Sequence, residues 1–271
     1  MLSKKMELCK LQKRLKINIF GIEDLKTDQP IIFVANHNCL MDIFYLPASL
    51  PIGTVSLISA RLIYKTLKER KAMIDNLLYS FPIEAHGGPE YSKMCLNEAL
   101  KLLQNNISVN IFPEGAYIES SNQIFKGRTG AARILYNAKL SGIKARIVPV
   151  AIEINSKQLN LDGYRITDDK INVYILKEIE YYTYFKKYIT SSTREEKNIA
   201  LHSVIDEAMK AIALKLNKEY KNEYIKLYPK NNVMFKDGTT VNVYEAQSQY
   251  YLDKYNEELS KRIEDICKNN I

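Results

Sequence analysis

Short runs of apolar residues alternate along the chain with stretches in which apolar residues recur every three or four positions. The clearest run, Ile31–Ala35, is unbroken, which is typical of a central strand covered on both faces. The apolar runs predict strands at 16–20, 31–35, 79–83, 108–112, 145–154 and 170–175. The periodic stretches predict helices at 41–50, 62–78, 91–104 and 130–140. This alternation favours an α/β fold with a mostly parallel central sheet flanked by helices.

The two ends of the chain follow a different pattern. Residues 2–16 carry six Lys or Arg and one Glu between loosely spaced apolar residues. They predict a basic amphipathic helix, which either lies on a membrane surface or docks on the fold with its polar side in solvent. Beyond residue 190 we predict a helix over 192–220, a hairpin over 233–243 and a last helix over 245–268. We therefore divide the chain into a core, 1–190, which includes the basic helix, and a C-terminal helical appendage with a short hairpin, 191–271.

Charge and cysteine content narrow the classes of protein that fit. The sequence has 39 Lys and Arg against 31 Asp and Glu, a formal net charge of +8. Such a surface favours phospholipid headgroups, coenzyme phosphates, an acidic carrier protein or nucleic acid, or it only keeps the protein in solution. The four cysteines form no CxxC pair and the three histidines accompany no carboxylate cluster, so we expect reduced thiols and no metal site.

The sequence also predicts a cytoplasmic protein without a membrane span. No stretch approaches the roughly 20 apolar residues that cross a bilayer. The charged N-terminal segment is unlike the apolar region of a signal peptide.

The segment after the strand at 31–35 contains a histidine and an aspartate, His37 and Asp42. In an open α/β sheet the ligand crevice lies at the carboxyl ends of the strands, which is where this segment begins. On a regular helix the two side chains would point to different faces, but they meet if His37 lies in the loop and Asp42 in the first helical turn. The carboxylate then fixes the imidazole tautomer and leaves the other ring nitrogen free to act as a general base. A histidine that lies at a helix start by chance is the alternative.

Three further motifs follow later strands. Phe112-Pro113-Glu114-Gly115 comes at the end of the strand at 108–112 and leaves a carboxylate at the crevice. The stretch 126–130 combines glycines with cations at a predicted helix entrance, which suits an anion. The fourth segment, 147–150, contains Val-Pro-Val.

These segments, in this order, resemble the sequence blocks of the lysophosphatidate and glycerol-3-phosphate acyltransferase family. The first block of that family is NHxxxxD, which residues 36–42 match after the Gly-x-Glu-x-Leu stretch at 21–25. The third block is FPEG, matched in full at 112–115, and the fourth is VPV, matched at 148–150. The resemblance covers roughly residues 17–154.

The resemblance implies an enzyme that moves a fatty-acyl group from acyl-CoA or acyl carrier protein to a hydroxyl acceptor, with no cofactor besides the donor. It implies that His37 is the general base and that Asp42 orients it. Glu114 and Gly115 would hold the acceptor, and Pro149 would lie on the acyl-chain side of the cleft. The other substrate-binding positions that it implies are Asn36, Phe112, Pro113, Tyr117, Lys126, Gly127 and Arg128. The lipid acceptor, lysophosphatidate or a related lyso-lipid, implies peripheral binding to an anionic membrane surface, on the inner face of the cell membrane.

Two departures from the family pattern concern the acceptor. The family places an arginine after the strand of its second block and another after FPEG, and both bind the acceptor's phosphate. This sequence has Glu84-Ala85-His86 at the first place and Tyr117 at the second. We therefore expect either that Lys126, Arg128 or His86 binds the phosphate, or that the acceptor is a glycolipid, sugar or amine without one.

Two other classes of protein account for fewer of these residues. Aromatic residues between cations at 181–188 either stack nucleic-acid bases or pack in the core. A nucleic-acid-binding protein has no use for His37, so no nucleic-acid partner is expected. A catalytically silent lipid-binding scaffold does not need an intact His37, Asp42 and FPEG.

Overall fold

A mostly parallel seven-stranded sheet forms the centre of the protein. The computed structural model describes residues 2–59, 79–83, 88–117, 121–155, 170–225, 232–234, 240–242, 261 and 263–268. The strands in these residues are β1 (Asn18–Phe20), β2 (Ile31–Ala35), β3 (Thr54–Ser59), β4 (Tyr79–Ile83), β5 (Ser108–Ile111), β6 (Gln123–Phe125), β7 (Arg146–Asn155), β8 (Lys170–Ile175), β9 (Glu219–Lys221), β10 (Asn232–Met234) and β11 (Thr240–Asn242). The central sheet has the order β1-β8-β7-β2-β5-β3-β4, and β7–β8 is its antiparallel pair.

The helices are α1 (Leu2–Arg14), α2 (Asp42–Ser49), α3 (Gly88–Gln104), α4 (Gly130–Leu140), α5 (Tyr182–Thr190) and α6 (Arg194–Lys215). Residues 263–268 are also helical. The α/β fold with a mostly parallel sheet and a C-terminal helix is confirmed. The helix predicted at 62–78 and most of the one predicted at 245–268 lie outside the described residues. The helix predicted over 192–220 ends at Lys215, and the chain continues into β9.

Apolar side chains pack on both faces of the sheet, as the unbroken run in β2 predicts. Ile32 and Val34 belong to a cluster with α3, α4 and α6 on one face, whereas Ile31, Phe33 and Ala35 belong to a cluster with α2 on the other. Every residue of β2 is fully buried. Because successive side chains of a strand point to opposite faces, β2 holds the two layers of helices together.

Helix α6 lies beyond the predicted boundary at residue 190 but packs on the sheet. A capping box formed by Thr193 and Glu196 begins the helix. Its buried side chains, which include Leu201, Val204 and Ile205, belong to the same cluster as Ile32 and Val34. The apolar face of α6 is therefore part of the main core. The division of the chain at residue 190 stays a prediction.

The sheet order brings the predicted chemical motifs to one edge. β2 has β5 on one side and β7 on the other, and both pairs are parallel. The segments that follow β2 and β5 therefore leave the sheet at the same end, where ligands bind in open parallel sheets.

No helix in the described part of the chain has the length and apolar character that crossing a membrane requires.

Candidate active site

His37 and Asp42 contact each other at the carboxyl end of β2. Asp42 is the first residue of α2 and is fully buried. Its Oδ2 atom lies 3.0 Å from His37 Nδ1 and accepts hydrogen bonds from the backbone N–H groups of Asn38 and Cys39. The two backbone donors hold the carboxylate at the start of the helix, where it faces the imidazole. Cys39 is buried and its thiol lies 3.8 Å from the other carboxylate oxygen, Oδ1.

Two aromatic rings fix the imidazole of His37. The Phe112 ring stacks on it with a centroid separation of 4.3 Å, and Tyr117 contacts it edge-on at 5.0 Å. The His37 side chain is 12% exposed. Its Nε2 atom makes no hydrogen bond within the described part of the chain. The packing therefore orients the ring and leaves one nitrogen available to a ligand.

Glu114 is buried and binds two backbone segments. One carboxylate oxygen accepts from the backbone N–H of His37 at 2.9 Å, and the other accepts from that of Phe125 at 2.9 Å. Burial raises the pKa of Glu114 to about 7, and these two hydrogen bonds and the nearby Lys218 ammonium oppose that effect. Glu114 thus ties the His37 loop to β6, and both of its oxygens are engaged with the protein itself.

A tight turn at Gly115 places Glu114 between the His37 loop and β6. Gly115 has φ +74°, a backbone conformation that L side chains rarely adopt, and its N–H donates to the Phe112 carbonyl at 3.1 Å. The Arg128 N–H donates to the Pro113 carbonyl at 2.7 Å, which joins the following glycine-rich segment to the turn.

Asn36 and Asn38, on either side of His37, are anchored to β7. The buried Asn36 amide donates to the Ile152 carbonyl at 3.0 Å and accepts from the Ile152 N–H at 2.8 Å. Asn38 Nδ2 donates to the same carbonyl at 3.0 Å. These bonds fix the loop that carries His37. Asn36 lies at the site, but its polar atoms bind the Ile152 backbone and the Asn38 side chain.

Lys126, Gly127 and Arg128 lie beside the turn in three different environments. The Lys126 ammonium donates to Asn222 at 3.1 Å. Gly127 has no room for a side chain, since a Cβ would lie 2.5 Å from Ile205. Arg128 lies against the turn, because its Nε would be 3.0 Å from a Cβ added at Gly115.

The Arg128 guanidinium is the least satisfied of these cations. Its Nε is buried and has no hydrogen-bond partner in the described residues. Its Cζ lies 5.5 Å from the centroid of the Tyr224 ring. A buried N–H without an acceptor is costly, which makes this guanidinium a candidate for binding an anion.

The remaining predicted positions are Pro149 and the segment 85–86. Pro149 is buried within β7 and pairs in register with Val34, three residues before His37. Ala85 and His86 lie outside the described residues.

The segment after α6 supplies side chains that the sequence motifs did not indicate. Lys218 donates to the Ser121 carbonyl at 2.8 Å. Burial lowers its pKa, and the negative charges of Glu114, Asp42 and Glu153 oppose that effect. The available signal was Asn217, which has φ +51° and lies two residues beyond the end of α6, a position that asparagine often takes after a helix. That signal predicts a turn and nothing about what the turn approaches.

The chemistry of the site follows from the pair formed by His37 and Asp42. An imidazole with a carboxylate on Nδ1 can accept a proton at Nε2 and share the resulting charge. Among the described residues, no group of three or more His, Cys, Asp and Glu side chains is placed to hold a metal ion.

Comparison with known proteins gives a family and similar solved structures. A family model described as Acyltransferase matches residues 16–153, just over half of the 271 residues. No curated protein sequence matches the chain. The crystal structure of the 1-acyl-sn-glycerophosphate (LPA) acyltransferase PlsC from Thermotoga maritima is similar, with 19% sequence identity, coverage of 77% of this chain and 79% of that chain, and a TM-score of 0.48. By the family match, this chain belongs to the acyltransferase family.

Proposed function

We propose that this protein transfers a fatty-acyl group from an acyl thioester, acyl-CoA or acyl carrier protein, to the hydroxyl of lysophosphatidate or a related lyso-lipid. The observation that carries the proposal is the pair formed by His37 and Asp42, 3.0 Å apart at the carboxyl end of β2 in an acyltransferase. The imidazole is oriented and one of its nitrogens faces no partner among the described residues.

In the proposed reaction His37 Nε2 takes the proton of the acceptor hydroxyl while that oxygen attacks the thioester carbonyl. The new ester C–O bond forms, the C–S bond breaks, and the proton passes from His37 to the departing thiolate. Asp42 stabilises the imidazolium between these two steps. A positioned base contributes about 10²–10⁴ in rate, and alignment of the two substrates contributes more. Since a thioester is already activated, no acyl-enzyme is needed.

Arg128 is the residue that we propose for the acceptor's phosphate. A guanidinium offers paired donors in a fixed geometry that matches phosphate oxygens. The position after FPEG that carries an arginine in the family holds Tyr117 here, whose ring contacts His37. Arg128 lies against the same turn, beside Gly115, and its Nε lacks an acceptor in the described residues.

An acceptor without phosphate is the second candidate. Tyr117 is 40% exposed beside His37 and offers a ring face, which suits a glycolipid, sugar or amine. The two candidates differ in whether Arg128 contributes to acceptor binding.

The acceptor would be reached at a membrane surface on the cytoplasmic side, bound peripherally through α1. The helix exposes Met6 together with Lys10, Lys13 and Arg14. An apolar side chain among cations suits the surface of an anionic bilayer.

The proposal is tested with purified protein, labelled acyl-CoA and a panel of lyso-lipids, sugars and amines, with the products identified by mass. We expect Arg128→Ala to raise KM for lysophosphatidate at least tenfold, about 1.4 kcal/mol. Arg133→Ala is the matched control, because that guanidinium is already bound to Thr129 and Asn198. A wild-type protein that ignores lysophosphatidate and acylates an uncharged hydroxyl or amine would exclude the phosphate acceptor.

A further inference from the structure

The chain beyond α6 pairs with the strand that contacts Glu114. β9 lies parallel to β6, with Gln123 opposite Glu219 and Phe125 opposite Lys221. The backbone N–H of Phe125 is one of the two donors to the Glu114 carboxylate. A second contact joins the Lys126 N–H to the Glu223 carbonyl at 3.1 Å. The segment 216–225 therefore lies next to β6, and β6 binds the Glu114 carboxylate that also contacts the His37 loop.

Lys218 brings a half-buried ammonium to this place. An ammonium has three donors, and the Ser121 carbonyl at 2.8 Å accepts one of them. Within the described part of the chain the Lys218 ammonium forms no ion pair and no second hydrogen bond. Neighbouring lysines are better satisfied: Lys126 binds Asn222, and Lys221 forms an ion pair with Glu219 at 2.6 Å.

Three acidic residues act electrostatically on Lys218, and two of them, Asp42 and Glu114, contact His37. Asp42, Glu114 and Glu153 all act on the pKa of Lys218, and Glu114 is affected by Lys218 in return. Asp42 and Glu114 repel a phosphate that approaches His37 whenever they are ionised. A positive charge that acts on both of them offsets part of that repulsion.

We infer that Lys218 is a substrate-binding residue, which receives a phosphate group of one of the two substrates beside His37 with the donors that Ser121 leaves unused. The inference rests on the proposed acyl transfer and names a group from outside the residues 16–153 that the family model matches. Both candidate substrates carry the required chemistry: the acceptor has a phosphate monoester, and coenzyme A or the carrier's prosthetic group has phosphates as well.

The competing explanation is that Lys218 only neutralises Glu114 and supports the fold. The two explanations differ in what a neutral side chain of similar length changes. Loss of a phosphate contact raises KM or Kd for the phosphate-bearing substrate. Loss of a structural counter-charge lowers thermal stability and affects all substrates alike.

The test uses the full-length chain with Lys218→Met, Lys218→Arg and, as the matched control on the same strand segment, Lys221→Met. We expect Lys218→Met to raise KM for one phosphate-bearing substrate about tenfold with kcat within about threefold of wild type. We expect Lys218→Arg to restore most of that loss, since it keeps the charge, and Lys221→Met to behave as wild type.

Substrate pairs identify which phosphate is bound. Lysophosphatidate is compared with monoacylglycerol as acceptor, and acyl-CoA with the acyl thioester of N-acetylcysteamine as donor. An effect confined to lysophosphatidate assigns Lys218 to the acceptor, and one confined to acyl-CoA assigns it to the donor. Equal effects on substrates with and without phosphate, or no effect on either KM, would overturn the inference.

Equilibrium binding separates this inference from the proposed function. Binding of lysophosphatidate and of coenzyme A to the wild type and to Lys218→Met is measured calorimetrically without turnover. If the wild type transfers no acyl group, but Lys218→Met binds one of these ligands about tenfold more weakly than the wild type does, the proposed function is contradicted and the phosphate contact is supported. A protein with acyl transfer whose Lys218→Met variant binds both ligands as the wild type does contradicts the contact alone. Wild-type protein that binds neither ligand contradicts both.

Discussion

Replacing Asp42 by asparagine tests how the His37 imidazole is held. In the structure Oδ2 of Asp42 accepts from His37 Nδ1 at 3.0 Å and from the backbone N–H groups of Asn38 and Cys39. An asparagine amide has one oxygen, and an NH₂ group at the Oδ2 position would face two backbone donors. The oxygen must therefore occupy the Oδ2 position, where it still accepts from Nδ1–H. The substitution removes the negative charge and preserves the tautomer.

The expected loss follows from the charge alone. A hydrogen bond to a charged group stabilises by about 1.5–3 kcal/mol, against about 0.5–1.5 kcal/mol for a neutral one, which sets a lower limit near tenfold. Both charges are spread over their groups, so we take their centres as about 4 Å apart. The Coulomb attraction between carboxylate and imidazolium is then about 4 kcal/mol at an effective dielectric constant of 20, which sets an upper limit near 10³-fold. We expect kcat of Asp42→Asn to fall between these limits with KM unchanged, because the imidazolium exists only during the reaction.

The assay is steady-state acyl transfer with purified wild type, Asp42→Asn and Asp42→Ala, together with thermal unfolding of each. Asp42→Ala should also lose stability, since it removes the acceptor of two backbone donors at a cost of about 1–3 kcal/mol for each buried one. A loss near 10⁴ in Asp42→Asn, the size that a wrong tautomer causes, would refute the argument that the backbone fixes the amide. Activity within about threefold of wild type would show that no imidazolium forms in the rate-limiting step.

Three further predictions concern stability and membrane binding. Burial raises the pKa of the Glu114 carboxyl from 4.5 to about 7, so between these pH values the folded protein keeps a proton that the unfolded chain has lost. The resulting contribution to the free energy of unfolding, about 3 kcal/mol, is complete below pH 4.5 and disappears as pH rises to about 7. Denaturant unfolding of wild type and Glu114→Gln at pH 5 and pH 8 should show this fall in the wild type only, and parallel pH profiles would contradict it. Gly127→Ala should destabilise the protein by about 1–3 kcal/mol, because a Cβ there is 2.5 Å from a side chain of α6. The control Gly130→Ala should not, because its Cβ meets an ordinary contact at 3.8 Å. Equal unfolding midpoints in urea for the two variants would contradict the close packing at Gly127. The full-length protein should float with vesicles of anionic lipid, and flotation should be lost at high salt or when Lys13 and Arg14 are both replaced by glutamine. Equal flotation of the double variant would exclude α1 as the membrane contact.

The sequence predicted well those elements whose residues are uniformly apolar or regularly periodic. β2 and α4 have the predicted bounds, because every residue of β2 is buried and α4 buries one regular stripe. β3 was not predicted, since Thr54 and Ser56 interrupt its apolar residues. Both are buried in the sheet, where Thr54 accepts a hydrogen bond from Asn110 at 2.7 Å. This bond joins two strands, and a single strand's pattern does not reveal the partner. The Ser56 hydroxyl and Asn110 Oδ1 have no hydrogen-bond partner among the described residues.

The contact between His37 and Asp42 could be predicted because it is local: five residues, a strand end and a helix start determine it. The role of Glu114 could be predicted only in part. Its place after β5 follows from the sheet, but its two backbone donors come from residues 77 and 11 positions away. Such contacts depend on which strands are neighbours, and β2 and β5 are far apart in the chain.

The same reasoning explains why Lys218 escaped prediction and why its position is specific. α6 has 22 residues and so spans about 33 Å. Its buried face packs with residues of β2, so the packing of that face sets where the helix ends. The turn at Asn217 then leads into β9, whose pairing with β6 fixes Lys218 beside Ser121. An apolar stripe on α6 thus determines where a charged side chain lies. The segment that carries Lys218 lies next to β6, whose Phe125 N–H binds Glu114, although it is about 180 residues from His37 in the sequence.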